Sequence, residues 1–324
     1  MKVAAVQHDI VWEDPKATTT ALAIPVAQSA AAGARLVVLS EMFATGFSMA
    51  PERIAEPEDG FIETWVREQA GTNRCWVLGS IAQTSNGERQ GEKPANVAVL
   101  AGPDGQLHRY AKIHPFSYGR EHEFYRAGDR TLTVDVEGVR VSVFICYDLR
   151  FPDAFYAIAE QTDVYVVPAN WPAIRQEPWR ALLRARAIEN MAYVVGVNRV
   201  GTAPGAKREV DYGGASVVVD PVGTRLVEAR DAAPVITAAV DPAVDIADVR
   251  AALTAHGVPE ADRDERVGRS VRAVVTPTGA GTVVTLERRG DLHTPRIVVL
   301  RRLGALWENI VTELENRPRG SRKT

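Results

Sequence analysis

The chain of 324 residues is short of cysteine, histidine and long apolar runs, and each shortage excludes a class of protein. Its two cysteines, Cys75 and Cys146, form no CxxC pair, which argues against a disulfide framework or a zinc site and suits a reducing cytoplasm. None of the six histidines forms an HxxxH pair, so we expect no metal site and no cofactor. No apolar run approaches the roughly 18–20 residues that a membrane span requires.

Positive charge is not in excess either. The formal net charge is −3, which does not indicate the basic face that nucleic acid requires. The first residues, MKVAAVQHDI, become polar too soon for the apolar core of a signal peptide and are typical of a first strand. We therefore expect a cytoplasmic protein with no nucleic-acid partner and no membrane partner.

Short β-branched runs alternate with longer stretches of helical character along the chain. The alternation predicts strands at 2–7, 35–39, 76–82, 96–101, 139–145, 163–167, 193–198, 215–220 and 235–240. It predicts helices at 17–32, 61–70, 153–161 and 178–190. Strands separated by helices in this way indicate a layered α/β architecture.

The composition changes after about residue 241. Apolar runs that predict strands still occur, at 270–275, 282–286 and 296–300, followed by an amphipathic stretch at 303–317. They contain no paired carboxylates, ligand cluster or Gly-rich loop, so we expect an accessory element without chemistry of its own. A poorly ordered extension is the alternative. We therefore divide the chain into a domain at 1–255 and a C-terminal extension of unknown role at 256–324.

The segment VSVFICYDLRFPDAF, residues 141–155, carries the strongest sign of chemistry. An apolar strand leads directly into Cys146, and Pro152 opens a helix shortly afterwards. Helix N-terminal amides lower the pKa of a thiol, so this corner favours a thiolate. The backbone amide of Tyr147 could face the oxygen of a carbonyl under attack, as in other nucleophile elbows. The alternative is a buried structural cysteine, which is also how we interpret Cys75.

A thiolate nucleophile needs a partner that moves protons, and no histidine lies in a recognisable supporting context. Two other segments offer one. The strand at 35–39 delivers Glu41 to its carboxyl end, and Lys112 ends a strand-like run before a polar loop. Either residue alone is as consistent with a cap or a surface charge, so the hypothesis depends on all three occurring together.

Together the three segments resemble the nitrilase (carbon–nitrogen hydrolase) superfamily, whose signature is Glu, Lys and Cys in that chain order. The motifs are LSEMF at 39–43, YAKIHPF at 110–116 and CYDLRFP at 146–152, with further matches at 169–172, 185–201 and 213–223. The resemblance covers roughly residues 1–240, and SEMFATGFSM at 40–49 is most similar to the omega-amidase-like branch. It implies an α/β fold, a four-layer α-β-β-α sandwich. Ser40 and Pro115 depart from the usual residues, and the stretch after about 255 matches nothing.

The resemblance also implies a mechanism. Cys146 would attack an amide carbon, with Glu41 as proton acceptor and later as the base for water. Lys112 and the backbone amide of Tyr147 would hold the oxyanion. A second glutamate of the family matches Glu121 best and is assigned a positioning role, with Glu123 as the competitor.

For the substrate, a small-molecule amide, we predict contacts from Arg150, Asn170 and Trp171. An arginine can grip a carboxylate bidentately, and Arg175 and Arg180 are further candidates. Against this, Arg150 has the alternative of a structural pair with a neighbouring carboxylate, and aromatic residues near sheet ends often only pack.

Other functions stay open at this point. A nitrilase or an N-carbamoyl amide hydrolase would use the same site, and a non-catalytic interaction protein could share the fold. A glutaminase module feeding a synthetase would need a nucleotide-binding motif, and none follows residue 240. The family resemblance further implies a homodimer or higher homo-oligomer, paired through the helices predicted at 153–161 and 178–190.

Overall fold

The chain divides into two compact units, Met1–Val240 and Asp241–Thr324, and the described residues of the first contain fifteen strands and six helices. The computed structural model describes residues 1–84, 92–205, 209–229 and 235–241, together with the backbone of 271–278 and 281–288. Every statement below concerns these residues.

The strands fall where the sequence is rich in valine, leucine and isoleucine, which fit a pleated, buried surface. In chain order they are β1 (Lys2–Val6), β2 (Leu36–Val38), β3 (Glu56–Pro57), β4 (Trp76–Thr84), β5 (Ala95–Ala101), β6 (Leu107–Ala111), β7 (Leu132–Val136), β8 (Val139–Val143), β9 (Val164–Ala169), β10 (Tyr193–Asn198), β11 (Val200–Ala203), β12 (Val210–Gly213), β13 (Val217–Val219), β14 (Arg225–Glu228) and β15 (Val235–Ala239).

The helices connect the strands on the outside of the sheets. They are α1 (Pro15–Ala31), α2 (Pro51–Ile54), α3 (Phe61–Asn73), α4 (Glu121–Phe124), α5 (Pro152–Ala157) and α6 (Gln176–Asn190). Four short 3₁₀ turns occur at Ser117–Gly119, Cys146–Arg150, Ala159–Gln161 and Ala173–Arg175. Proline at the first helical position starts α1, where Asp14 caps the helix by accepting the N–H of Ala17 at 3.0 Å.

Two mixed sheets organise the strands. The first has the order β15-β1-β2-β4-β5-β6, with β3 beside β4, and the second has the order β14-β13-β10-β9-β8-β7. Strands β1, β2 and β4 run parallel in the first sheet, as do β8, β9 and β10 in the second, and the edges of both are antiparallel. Because parallel strands place their carboxyl ends at one edge, each sheet brings several loops together there.

Alternating side chains along β1 show how the layers stack. Val3 and Ala5 belong to a buried cluster that includes residues of the second sheet and of α5 and α6, whereas Ala4 and Val6 belong to a cluster with α1 and α3. Successive residues of a strand point to opposite faces, so β1 lies between the helices and the second sheet. The layers are therefore α1/α3, first sheet, second sheet and α5/α6. The predicted four-layer α-β-β-α fold is confirmed.

The predicted elements are present, with ends that shift by a few residues. The helix expected at 153–161 ends early at Ala157 and continues as a separate 3₁₀ turn. Pattern reasoning missed five of the strands in the described residues, namely β3, β7, β11, β12 and β14. Most of these are edge or hairpin strands with exposed polar residues, so they lack the apolar run by which buried strands are recognised.

The second unit contains an antiparallel hairpin of β16 (Val271–Thr278) and β17 (Gly281–Arg288), which confirms the strands expected at 270–275 and 282–286. The strand expected at 296–300, the amphipathic stretch at 303–317 and the proposed boundary at 255/256 lie outside the described residues. Within the described ranges, no helix has both the length and the apolar character needed to cross a membrane.

Cys75 gives a prediction about pH and stability. It is fully buried at the start of β4, and burial raises the pKa of its thiol from the ordinary 9.0 to about 11. Between pH 9 and 11 the unfolded chain has released a proton that the folded chain keeps, so the free energy of unfolding falls as pH rises. In denaturant titrations, the free energy of unfolding of the wild type should fall between pH 9 and 11 by on the order of 2 kcal/mol more than that of Cys75→Ala. Enzymatic activity at neutral pH should not change. An identical slope in both proteins would contradict this assignment.

Candidate active site

Glu41 lies in the loop that leaves the carboxyl end of β2, fully buried. The loop is held on β4 at Ser80, whose hydroxyl accepts the N–H of Met42 at 2.9 Å. Met42 has a φ of 40°, a left-handed conformation that L-residues adopt only under constraint. Gly79 permits this path, because a Cβ there would lie 2.5 Å from the ring of Phe43. The local fold therefore directs the carboxylate of Glu41 inward.

Lys112 follows β6 and points at the same place. Both backbone polar groups of Lys112 are hydrogen-bonded. Its N–H donates to the backbone oxygen of Asn96 at 2.9 Å, and its backbone oxygen accepts the N–H of Gly128 at 2.8 Å. Its ammonium lies 2.8 Å from Glu41 Oε1 and 2.8 Å from Glu121 Oε2. All three side chains are almost completely buried.

Cys146 begins a 3₁₀ turn shortly after β8 and has a φ of 44°. Asp148 holds this corner. Its carboxylate accepts the N–H of Ile145 at 2.9 Å, the hydroxyl of Tyr110 at 2.8 Å and the N–H of His114 at 2.8 Å. Two of these donors belong to the segment that carries Lys112, so Asp148 fastens the cysteine corner of the second sheet to the lysine segment of the first.

The electrostatics of the cluster favour charge on the lysine. Burial acts to lower the pKa of Lys112, but Glu121 and Glu41 outweigh it and raise that pKa above the ordinary lysine value. Burial and the charge of Glu41 raise the pKa of Glu121, against the lowering effect of Lys112. The ammonium is thus held charged between two carboxylates.

The expectation was that the corner at Cys146 favours a thiolate, but the net shift of the thiol pKa is in the opposite direction. Burial, followed by the charge of Glu41, raises the pKa of the Cys146 thiol well above its ordinary value, and Lys112 offsets only part of this. The turn after the cysteine is five residues long and α5 has six, so no extended helix dipole acts on the sulfur. The thiol is hydrogen-bonded to the side chain of Glu41 and in contact with the backbone N–H of Asn170.

The structure separates the two candidates for the second glutamate. Glu121 is fully buried in the cluster, where it accepts the N–H of Phe116 at 2.5 Å as well as the ammonium of Lys112. Glu123 lies on the surface and pairs with Arg120. The geometry therefore places Glu121, and not Glu123, beside Glu41 and Lys112.

Asn170 and Trp171 lie at the end of β9, directly beside the cluster. The backbone N–H of Asn170 donates to Glu41 Oε2 at 2.8 Å, and its side-chain amide donates to the backbone oxygen of Glu41 at 2.7 Å. Its Oδ1 is buried and has no hydrogen-bond partner among the described residues. Trp171 is buried too and packs against Trp179 with 5.4 Å between ring centroids.

The three arginines considered for substrate binding differ in their partners. Arg180 is paired with Glu228 at 2.5 Å. The guanidinium of Arg150 is exposed and lies 5.1 Å from the ring centroid of Trp171. Arg175 stacks over the ring of Tyr118 at 4.8 Å. No ion pair with a carboxylate is found for Arg150 or Arg175 within the described ranges, so the structural pair considered for Arg150 is not seen.

Sequence reasoning missed two residues of the site. Asn96 donates to both Glu41 and Glu121 from within β5, and Asp148 fastens the cysteine corner. A signal existed for each, since a polar residue stood inside or beside an apolar run. A metal-binding group of three or more His, Cys, Asp or Glu side chains is not present in the part of the chain that the structure describes.

Comparison with known families identifies the family to which the chain belongs. The family model for carbon–nitrogen hydrolases matches residues 2–250. The chain belongs to the carbon–nitrogen hydrolase family. The predicted resemblance to this superfamily is therefore confirmed, and the chain is a carbon–nitrogen hydrolase.

Named relatives of this hydrolase include omega-amidase YafV of Yersinia enterocolitica, 36% identical over 69% of this chain and 82% of that protein. The 2-oxoglutaramate amidase of Bacillus subtilis (strain 168) is 30% identical over 64% of this chain and 78% of its own length. Among solved structures, XC1258 from Xanthomonas campestris is a CN-hydrolase superfamily protein with an arsenic adduct in its active site. It is 34% identical, covers 83% of this chain and 98% of its own, and has a TM-score of 0.69.

The raised pKa of Cys146 predicts how the alkylation rate of this residue depends on pH. Alkylation of Cys146 by iodoacetamide, followed by mass spectrometry of its peptide, should accelerate continuously from pH 6 to 9, because the thiolate fraction grows throughout. Glu41→Gln should move this profile to lower pH, since it removes a charge that opposes the thiolate. A rate in the wild type that is already constant near pH 6 would contradict the assignment.

Proposed function

We propose that this hydrolase converts a small linear amide to a carboxylate and ammonia through a thioester on Cys146. One observation carries the proposal: the thiol of Cys146, the carboxylate of Glu41 and the ammonium of Lys112 converge in one buried cluster. A nucleophile, a base and a cation within contact of one another are the set that acyl transfer requires.

The first half-reaction forms the thioester. The thiol proton moves to Glu41 as Sγ bonds to the amide carbon, and the amide oxygen takes up negative charge. An ammonium has three donors, and the carboxylates of Glu41 and Glu121 use two of those of Lys112, which leaves one for this oxygen. The backbone amide of Tyr147, near the start of a turn where N–H groups lack acceptors, is the second proposed donor. Glu41 then returns the proton to nitrogen, the C–N bond breaks and ammonia leaves.

The second half-reaction releases the acid. Water attacks the thioester carbon while Glu41 takes its proton, and the C–S bond breaks as the thiol is reprotonated from Glu41. Glu121 does not touch the reacting atoms in this scheme and acts by positioning Lys112. Because the thiol starts protonated, attack and proton transfer to Glu41 occur together, and no stable thiolate is required.

The substrate class follows from groups that are free to bind. The relatives named omega-amidase and 2-oxoglutaramate amidase suggest an amide whose other end is a carboxylate. Arg150 supplies a guanidinium without an acidic partner among the described residues, held against Trp171. Asn170 Oδ1 supplies a buried acceptor suited to the N–H of an amide. We therefore propose Arg150 and Asn170 as substrate contacts, with Trp171 as the surface that positions Arg150.

Assembly as a homodimer through α5 and α6 stays a prediction. Ile188 of α6 is 44% exposed, and Val222, between β13 and β14, is 53% exposed. Exposed apolar side chains are typical of subunit interfaces.

Ammonia release tests the proposed reaction. The wild type should release ammonia from a small primary amide, and Cys146→Ala should release none while keeping the wild-type circular dichroism spectrum and unfolding transition. A panel of an amide, the matching nitrile and the matching N-carbamoyl compound separates amide hydrolysis from the two neighbouring activities. Turnover of the nitrile alone, or activity that survives in Cys146→Ala, would overturn the proposal.

Substrate recognition by Arg150 has its own test. Arg150→Gln should lower kcat/KM for glutaramate, a monoamide with a free carboxylate, by about 30-fold, which corresponds to the roughly 2 kcal/mol of a hydrogen bond between charged groups. The same variant should leave kcat/KM for the neutral pentanamide unchanged.

Arg180→Gln is the matched control for Arg150→Gln, because its guanidinium already pairs with Glu228. It should leave both substrates unaffected. If Arg175→Gln shows the selective loss instead, the carboxylate contact belongs to Arg175. Equal losses on both substrates in Arg150→Gln would contradict carboxylate recognition at Arg150.

A further inference from the structure

Asn96 lies among the buried ionised groups but has no part in the reaction steps above. From the second position of β5, its Nδ2 donates to Glu41 Oε1 at 2.8 Å and to Glu121 Oε1 at 3.1 Å. Its backbone oxygen accepts the N–H of Lys112 at 2.9 Å. Asn96 is 1% exposed and thus contacts three of the charged residues without access to water.

A chain of hydrogen bonds determines which way the Asn96 amide points. The N–H of Met42 donates to Ser80 Oγ at 2.9 Å, so this contact uses a lone pair of the hydroxyl. The single hydroxyl proton of Ser80 therefore goes to Asn96 Oδ1 at 2.8 Å. The NH₂ group must then face the two carboxylates, because the opposite orientation would set the amide oxygen against them.

This orientation limits where Glu41 can accept a proton. Each carboxylate oxygen has two lone-pair sites, and at Oε1 of Glu41 they are taken by Asn96 and Lys112. Oε2 accepts the N–H of Asn170, the same group that contacts the Cys146 thiol. One acceptor site is left on Glu41, on Oε2, the oxygen that shares the N–H of Asn170 with the thiol.

The charge balance gives Asn96 a second effect. Two carboxylates surround one ammonium, so the buried cluster carries an excess negative charge that burial opposes. Asn96 donates to both carboxylates without adding charge of its own, which favours their ionised forms. A leucine would leave two acceptors unsatisfied, and an aspartate of the same shape would add a third negative charge.

We propose that Asn96 is a positioning residue for the amide hydrolysis proposed above, fixing the carboxylates of Glu41 and Glu121 about Lys112 and leaving Glu41 a single acceptor site for the thiol proton. The inference rests on that proposed function. It makes the start of β5 part of the machinery of the site, although Asn96 touches no reacting atom.

Asn96→Asp tests the proposal with almost no change of shape. It should lower kcat by about 100-fold, as expected when a reacting group is displaced from its attack geometry, with KM unchanged. The acid limb of kcat/KM against pH should move to higher pH, because the substitution adds a third carboxylate beside Lys112 in the buried cluster. If Asn96 had a purely structural role, its substitution would change the unfolding transition. It would change neither the acid limb of kcat/KM nor kcat per folded molecule.

Gln83→Ala is the matched control. Gln83 lies on the neighbouring strand β4, is buried, and donates to the carboxylate of Glu63 at 2.6 Å, which in turn pairs with Arg109. It is a buried amide beside an ion pair, but outside the site. Gln83→Ala should lower the unfolding transition and leave kcat, KM and the pH limb as in wild type.

A second readout needs no turnover and separates this inference from the proposed reaction. Asn96→Asp should shift the pH profile of Cys146 alkylation by iodoacetamide upward, whether or not a substrate is found. If the wild type hydrolyses no amide, the proposed function fails, while this shift still supports the electrostatic role of Asn96.

If Asn96→Asp does not fold, Ser80→Ala frees the Asn96 amide to rotate and should lower kcat with KM unchanged. The proposal would be overturned if the variant measured kept the wild-type kcat and an unshifted acid limb of kcat/KM. It would also be overturned if Gln83→Ala lost as much kcat as that variant.

Discussion

A lysine ammonium buried between two carboxylates is the interaction on which the rest of this site depends. Removing one member of such a cluster leaves an uncompensated charge without water, which costs about 3–5 kcal/mol in comparable buried pairs. Lys112 therefore constrains the loop that carries Glu41 and the start of α4, which carries Glu121, as firmly as any apolar contact. The same constraint keeps a cation permanently beside the sulfur of Cys146.

The fold satisfies this constraint by using both sheets. Glu41 and Lys112 come from the first sheet and Cys146 from the second, so the cluster exists only when the sheets are packed face to face. Asp148 joins them by accepting hydrogen bonds from Tyr110 and His114 on one side and from Ile145 on the other. Packing of the core and assembly of the site are thus one event.

Burial also bears on how the proposed nucleophile would be activated. In a dry site, desolvation opposes a second negative charge beside Glu41, so in the proposed mechanism the thiol keeps its proton until a substrate carbonyl is present. The positive φ of Cys146 and of Met42 shows that the backbone is held in strained positions at the proposed nucleophile and beside the proposed base. Such strain persists because the surrounding hydrogen bonds hold each group in place.

The sequence alone determined the class of fold, the chain order of Glu41, Lys112 and Cys146 and the preference for Glu121, because these depend on local periodicity and on motifs that survive in one dimension. It could not determine the protonation of Cys146, since that depends on how much water the packed sheets exclude. Nor could it find Asn96 or Asp148, whose partners lie far away in sequence: Asn96 is 55 residues from Glu41, and Asp148 is 38 from Tyr110. Contacts of this kind are made by the approach of strands, and only the tertiary structure decides which strands approach.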